Sequence, residues 1–270
     1  MSLPTPSPTS TALVTGASSG IGVELARGLV RRGHGVTLLA RRADRLEDLA
    51  GELRRSGVRV EVLARDLADP AGRGGIAEEL AERGLEVSVL VNNAGLSTLG
   101  PVHRGDTEAE LRMVEVDVMA VVELCSRLVP PMVERGAGAV LNVASTASFQ
   151  PLPGQAGYGA SKAFVRSYTE ALAAELRGTG VHATVLCPGP VETEFGDVAG
   201  FDADATKETL PSFMWETPQA VADVGLHALA AGRTVAIPGP ANRALAMVSY
   251  LTPKRLLLPL LARQHPGLRD

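Results

Sequence analysis

Tyr158-Gly159-Ala160-Ser161-Lys162 holds the pair of residues with the plainest chemical use. A Tyr and a Lys four positions apart on a helix share one face, about 6 Å apart along the axis, so an ammonium stands beside a phenol. A free phenol has a pKa of about 10, and making it an acid and base near neutrality asks for roughly 3 units, or about 4 kcal/mol. An ammonium at about 4 Å, in an effective dielectric of about 20, contributes about 4 kcal/mol toward the phenolate. The chemistry implied is proton transfer to or from an oxygen. The competing reading is that the two are surface neighbours by accident, and the rest of the chain has to decide.

The elements that must position this pair can be read in order. Thr11 to Thr15 is a short apolar run ending in Gly16-Ala17-Ser18-Ser19-Gly20-Ile21-Gly22, with a helical pattern after it. In a strand, glycine turn and helix of this kind the backbone can approach a ligand closely, and the helix start offers free N–H groups to a phosphate. A second strand, Val36 to Ala40, runs into Arg41-Arg42. A carboxylate there would bind the ribose hydroxyls of NAD, whereas guanidinium groups suit a 2′-phosphate, so NADP is expected, with NAD possible.

Further strands are read at Val58–Val62, Val87–Val91, Ala139–Ala144, Val181–Cys187 and Arg233–Ile237. Gly74 and Gly75 weaken the helix after Pro70. Thr107-x-x-Glu110 reads as a capping box and Thr217-Pro218 as an N-cap with a first-turn proline. Alternating strands and helices predict an α/β fold: a single-domain, Rossmann-type, doubly wound parallel sheet of about seven strands with helices on both faces. The expected organisation is a disordered tail over 1–10, a catalytic domain over 11–240 with a substrate lid at 190–216, and a C-terminal helical extension over 241–270.

Composition narrows the partners. The 270 residues carry a net charge of −4, which gives no electrostatic footprint for nucleic acid. Cys125 and Cys187 are the only cysteines and show no C-x-x-C, and the first ten residues lack the pattern of a signal peptide, so a cytoplasmic location is expected. The Leu-rich end from Leu256 to Leu261 is short and interrupted by Pro259, far below the roughly 18 apolar residues that span a bilayer, and no membrane partner is expected. The five histidines have no ligand spacing, so no metal is expected.

At this point the chain resembles the classical short-chain dehydrogenase/reductase family from Thr11 to Pro238, with several motifs in order. Thr15-Gly16-x-x-x-Gly20-Ile21-Gly22 matches the family's cofactor loop, which brings in Ser18 and Ser19. Asp66, with Leu67, matches its adenine contact, and Asn92-Asn93-Ala94-Gly95 the motif that steadies the central sheet. Ser145 lies thirteen residues before Tyr158, and Pro188-Gly189-x-x-x-Thr193, with Val191, matches the segment that holds the nicotinamide. The resemblance implies that Tyr158 is the general acid or base, that Lys162 lowers its pKa and binds the nicotinamide ribose, and that Ser145 hydrogen-bonds the substrate oxygen. It also implies a homodimer or homotetramer built on the two long helices. One position departs from it: Asp117 stands where the family has an Asn whose backbone carbonyl holds a water in a proton relay to the Lys. Its carboxylate either opposes the phenolate of Tyr158 or turns away to cap a backbone N–H.

Between Val191 and Trp215 the pattern is irregular, and Phe195, Phe201, Phe213 and Trp215 fall there. Long loops of this kind are usually lids, so Phe195, Phe213 and Trp215 are expected to contact substrate. The expected activity is NADP-dependent interconversion of a carbonyl and a secondary alcohol, as a reductase of an apolar or aromatic substrate. The alternatives are an NAD-dependent alcohol dehydrogenase, or a nucleotide-binding regulatory protein that has lost turnover.

Overall fold

Seven short aliphatic runs form the sheet: β1 (Ser10–Thr15), β2 (Val36–Ala40), β3 (Val60–Ala64), β4 (Glu86–Asn92), β5 (Gly138–Val143), β6 (Val181–Leu186) and β7 (Val235–Ala236). In the computed structural model the described residues are 3–198, 211–264 and 266–268. All neighbouring strands pair in parallel, in the order β3-β2-β1-β4-β5-β6-β7.

Parallel strands covered on both faces must be apolar at every position, and the alternation of side chains then sorts them between two layers. Leu13, Leu39, Leu63 and Leu90 face one layer, packed with Ile76 and Leu80 of α4 (Ile76–Glu82), Leu124 of α6 (Ala120–Glu134) and Val165 of α7 (Ala156–Glu175). Ala12, Val14, Leu38, Val89 and Val91 face the other, packed with Leu25 and Leu29 of α1 (Gly20–Val30), Leu46 and Leu49 of α2 (Ala43–Arg54), and Leu226 of the Pro218–Ala230 helix. The strand order reverses between β1 and β4, so the crevice at their carboxyl ends is the place where an open α/β sheet takes a ligand.

Several expectations change. The first ten residues are not a free tail from residue 3 onward: Leu3 packs on the core, Ser10 belongs to β1, and the Thr9 carbonyl accepts the Glu86 N–H at 2.8 Å. Paired backbone extends the edge of β1 and removes the freedom that the Pro and Ser content suggests. The helix after Pro70 splits at Gly75 into α3 (Pro70–Gly74) and α4. Helix α5 (Thr107–Val114) is capped by Asp106, whose carboxylate accepts the N–H groups of Glu108 and Ala109, and not by Thr107. Glu110 turns away from the helix start to the hydroxyl of Thr98. Thr217 caps its helix as expected by accepting the Ala220 N–H.

Candidate active site

Gly16 and Gly20 take φ of 67° and 55°, a region open to glycine, and fold the β1–α1 turn back on itself. A Cβ at Gly22 would sit 2.2 Å from the Gly16 carbonyl oxygen, so the turn closes this tightly only without a side chain. Thr15 ties it to the end of β4: its hydroxyl accepts the N–H groups of Asn93 and Ala94 at 2.9 and 3.0 Å, while Asn93 Nδ2 donates to the Thr15 carbonyl. Ser19 is the N-cap of α1 and makes no side-chain cap bond, leaving the helix start open to an anion. Ile21 anchors this turn against the core. Arg42 bonds the hydroxyls of Ser18 and Ser19 at 3.0 and 2.9 Å, and Arg42 and Arg45 both pair with Glu194. Arg41 is exposed, and its charge acts on Asp66. Burial pushes the Asp66 carboxyl up, but the Ala68 N–H and the Arg112 guanidinium outweigh it and hold the group below its usual range. Leu67 is buried beside it and gives its carbonyl to Arg73. A cradle with no room for a Cβ, an open helix start and two arginines fits a dinucleotide with a phosphate at the adenosine end.

At the other end of the crevice α7 carries Tyr158 and Lys162 on one face. Lys162 Nζ lies 5.7 Å from the centre of the Tyr158 ring and 3.4 Å from the Val143 carbonyl at the end of β5. Ser145, two residues on, caps a 3-10 turn (Thr146–Phe149) by accepting the Ala147 N–H, and its hydroxyl reaches the Pro188 carbonyl at 3.5 Å. Gly189 is packed under Asn242, and a Cβ there would meet Asn242 Oδ1 at 2.4 Å. Val191 bridges to Glu216, and Thr193 lies over Gly20 so closely that a Cβ at Gly20 would be 2.8 Å from its methyl.

Asp117 sits in a π turn (Glu115–Met119) between α5 and α6, where the extra residue rotates the side chain inward. One carboxylate oxygen accepts the Leu96 N–H at 2.7 Å and the other stands 2.9 Å from Lys162 Nζ. The carboxylate therefore does cap a backbone N–H, yet it does not leave the site's field unchanged. Gly95 backs the pair, and a Cβ there would stand 3.0 Å from Nζ. Burial pushes the Asp117 carboxyl up, against Lys162 and the Leu96 N–H. Burial pulls Lys162 down, but Asp117 and Tyr158 more than restore it, and the ammonium is held up. For Tyr158 burial again dominates and raises the phenol; Lys162 and the hydrogen bond with Ser145 pull it down, and Asp117 adds to the upward push.

The aromatic residues between Val191 and Trp215 divide. Phe195, in the short helix Phe195–Val198, lies 5.9 Å from the Tyr158 ring, centre to centre. Trp215 is half-buried just before Glu216. Phe213 is 71% exposed on a 3-10 turn, Ser212–Met214, and makes no ring contact with Tyr158. Phe201 lies outside the described residues.

Other residues of the site carry no motif. Asn142, next to the end of β5, is fully buried; it accepts from Asn92 at 2.8 Å and donates to Thr169 at 2.9 Å, locking β4, β5 and α7 together. A polar residue inside an apolar strand run was the available signal. Glu194 and Asn242, which meet the site only through the fold, gave none.

The chain matches the family model for short chain dehydrogenases over residues 10–200. It is 40% identical over 200 residues to a sulfoacetaldehyde reductase of Chromohalobacter salexigens, covering 71% of this chain and 79% of the relative. It is 35% identical over 215 residues to the NADP-dependent 3-hydroxy acid dehydrogenase YdfG of Escherichia coli K12, covering 78% and 85%. Among solved structures, a short-chain dehydrogenase from Sphingobium yanoikuyae in complex with NADPH superposes with a TM-score of 0.79 at 34% identity, covering 93% of this chain and 95% of that one. With a glycine turn on β1, a reversal of strand order at the crevice and a Tyr–Lys pair beside Ser145, the chain belongs to the short-chain dehydrogenase/reductase family and is an oxidoreductase that uses a nicotinamide dinucleotide.

Proposed function

We propose that this protein is an NADP-dependent reductase that converts a carbonyl to a secondary alcohol, with Ser145, Tyr158, Lys162 and Asp117 as its working groups and an apolar or aromatic substrate. The observation that carries the reading is the phenol of Tyr158, raised by burial and by Asp117, with Lys162 beside it and Ser145 bonded to it. Bound in the crevice, NADPH supplies the hydride. Arg42 and Arg41 would hold the 2′-phosphate and the open start of α1 the pyrophosphate. Gly189, Val191 and Thr193 would back the nicotinamide. Ser145 orients the carbonyl oxygen by hydrogen bonding, and Tyr158 donates its proton to that oxygen as charge develops there. Lys162 balances the phenolate left behind. Phe195 gives the pocket an apolar wall against Tyr158.

The NADPH complex of the Sphingobium relative and the NADP-dependence named for the Escherichia coli relative support the cofactor. The names of the two curated relatives favour a second reading of the substrate, a small anionic carbonyl compound. A turnover screen with NADPH and NADH against ketones, aldehydes, 3-oxo acids and sulfonated aldehydes of graded size separates the two. Tyr158→Phe should lose turnover and keep NADPH binding; cofactor binding by wild type without turnover on the whole panel would instead assign a regulatory nucleotide-binding role. A homodimer or homotetramer through the outer faces of α6 and α7 belongs to the same proposal, supported by Phe164, exposed at 41% and stacked on Tyr168. Analytical ultracentrifugation would report it.

A further inference from the structure

The C-terminal helices are turned the wrong way round for a free surface. An ordinary amphipathic helix buries its large apolar residues and shows polar ones to water. The Pro240–Leu251 helix buries Asn242, Ala246 and Ser249, while Leu245, Met247, Val248 and Leu251 are 48%, 57%, 60% and 71% exposed. After the turn at Thr252-Pro253, the Lys254–Gln264 helix continues the pattern, with Leu256 and Leu260, one turn apart, 63% and 52% exposed. Seven of the fifteen exposed large apolar residues among the described residues fall between positions 245 and 260, so they form a local feature and not the ordinary scatter of a protein surface.

Charge identifies what fits this face. From 240 to 264 the sequence carries Arg243, Lys254, Arg255 and Arg263 and no carboxylate, so the rest of this −4 chain has a net charge of −8. A two-fold contact between identical copies would set these four cations against the same four, with no acid in the segment to pair them. Exposed leucines flanked only by cations suit the boundary between anionic headgroups and acyl chains. We propose that the two C-terminal helices dock this enzyme peripherally on an anionic lipid bilayer, with Val248, Leu251, Leu256 and Leu260 entering the interface and Arg243, Lys254, Arg255 and Arg263 meeting the headgroups. The proposal concerns a helix pair lying on a membrane; no helix among the described residues is long and apolar enough to cross one. It is independent of the substrate and of the hydride reaction.

The test is co-sedimentation of the full-length protein with vesicles of phosphatidylcholine containing about one-third phosphatidylserine, and with vesicles of phosphatidylcholine alone. The expected result is binding to the anionic vesicles that weakens about tenfold or more in the doubly substituted Leu251→Glu, Leu256→Glu protein, and in Arg255→Glu, Arg263→Glu, which keeps the leucines. Both variants should keep the wild-type melting temperature and turnover on a water-soluble substrate, since none of these residues touches the active site. Failure of the wild type to sediment with anionic vesicles, or binding that either folded variant retains, overturns the proposal. Wild-type self-association that the leucine variant abolishes, without vesicle binding, overturns it in favour of a second copy of the chain on this face.

Discussion

Replacing Asp117 by Asn tests whether a carboxylate beside the Lys162 ammonium sets the direction in which the enzyme works best. Lys162 Nζ lies 5.7 Å from the centre of the Tyr158 ring and 2.9 Å from the Asp117 carboxylate. In an effective dielectric of about 20, an ammonium at that distance favours the phenolate by about 3 kcal/mol. The two distances laid end to end put the carboxylate within about 9 Å of the ring, so it takes back about 2 kcal/mol or more. Asn has the same shape and keeps an oxygen for the Leu96 N–H, but it removes the charge. About 2 kcal/mol is roughly a 30-fold change in phenolate at a fixed pH.

The sign follows from which form each direction needs. Carbonyl reduction needs the phenol, which the raised titration of Tyr158 preserves toward alkaline pH; alcohol oxidation needs the phenolate and so waits for alkali. Asp117→Asn should therefore move the rising limb of alcohol oxidation to lower pH, with a gain of up to about 30-fold on that limb, and should bring the alkaline loss of reduction down with it. The assay is kcat/KM against pH in both directions, with a primary deuterium isotope effect on the transferred hydrogen to show that chemistry limits the rate. Superimposed profiles under that condition would refute the electrostatic argument. A shift to higher pH would do so too, because it would mean that the carboxylate mainly keeps Lys162 charged.

Arg42→Ala should weaken NADPH about 10-fold or more and NADH little, since a lost charge-assisted phosphate contact costs about 1.5 to 3 kcal/mol, with Arg41→Ala giving the smaller effect; equal weakening of both cofactors in a fluorescence titration would remove the 2′-phosphate from this site. Phe195→Ala should lower kcat/KM for bulky apolar substrates by about 1 to 3 kcal/mol more than for small ones, whereas Phe213→Ala, at an exposed position, should change neither; a uniform loss across substrate size would give Phe195 a packing role only. Arg73 is 3% exposed and pairs at 2.7 Å with both Glu115 and Glu123, bracing α3 against the helix that holds Asp117. Arg73→Met leaves Glu115, already partly exposed, without its guanidinium and Glu123 with Arg127 alone, and should cost about 1.5 to 3 kcal/mol in urea unfolding; a cost well under about 1 kcal/mol would show the cluster to be solvated and dispensable.

Much of this molecule is set by short-range pattern. Aliphatic runs separated by helical periodicity specify a parallel sheet, because only strands covered on both faces can be apolar throughout. The glycine turn at 16–22 is legible because φ of 67° and 55° at Gly16 and Gly20 is a local backbone demand. Tyr158 and Lys162 are legible because helical spacing alone puts them on one face. Where the outcome depended on distant partners, local pattern was silent or misleading. Thr107-x-x-Glu110 has the form of a capping box, but Asp106 took the cap and Glu110 turned to Thr98, nine residues before the helix starts. The Pro- and Ser-rich start reads as free chain, but the backbone at Thr9 finds a partner in Glu86 across the sheet. Arg41 follows β2 directly and reads as the first choice for a 2′-phosphate, but the path of the β2–α2 turn aims Arg42 at the glycine loop. The sequence by itself determined that an acid carbon chain stands at 117; that its two oxygens meet the Leu96 N–H and Lys162 Nζ was decided by the tertiary structure, since the π turn at 115–119 and the approach of the chain after Gly95 bring together groups 21 and 45 positions apart.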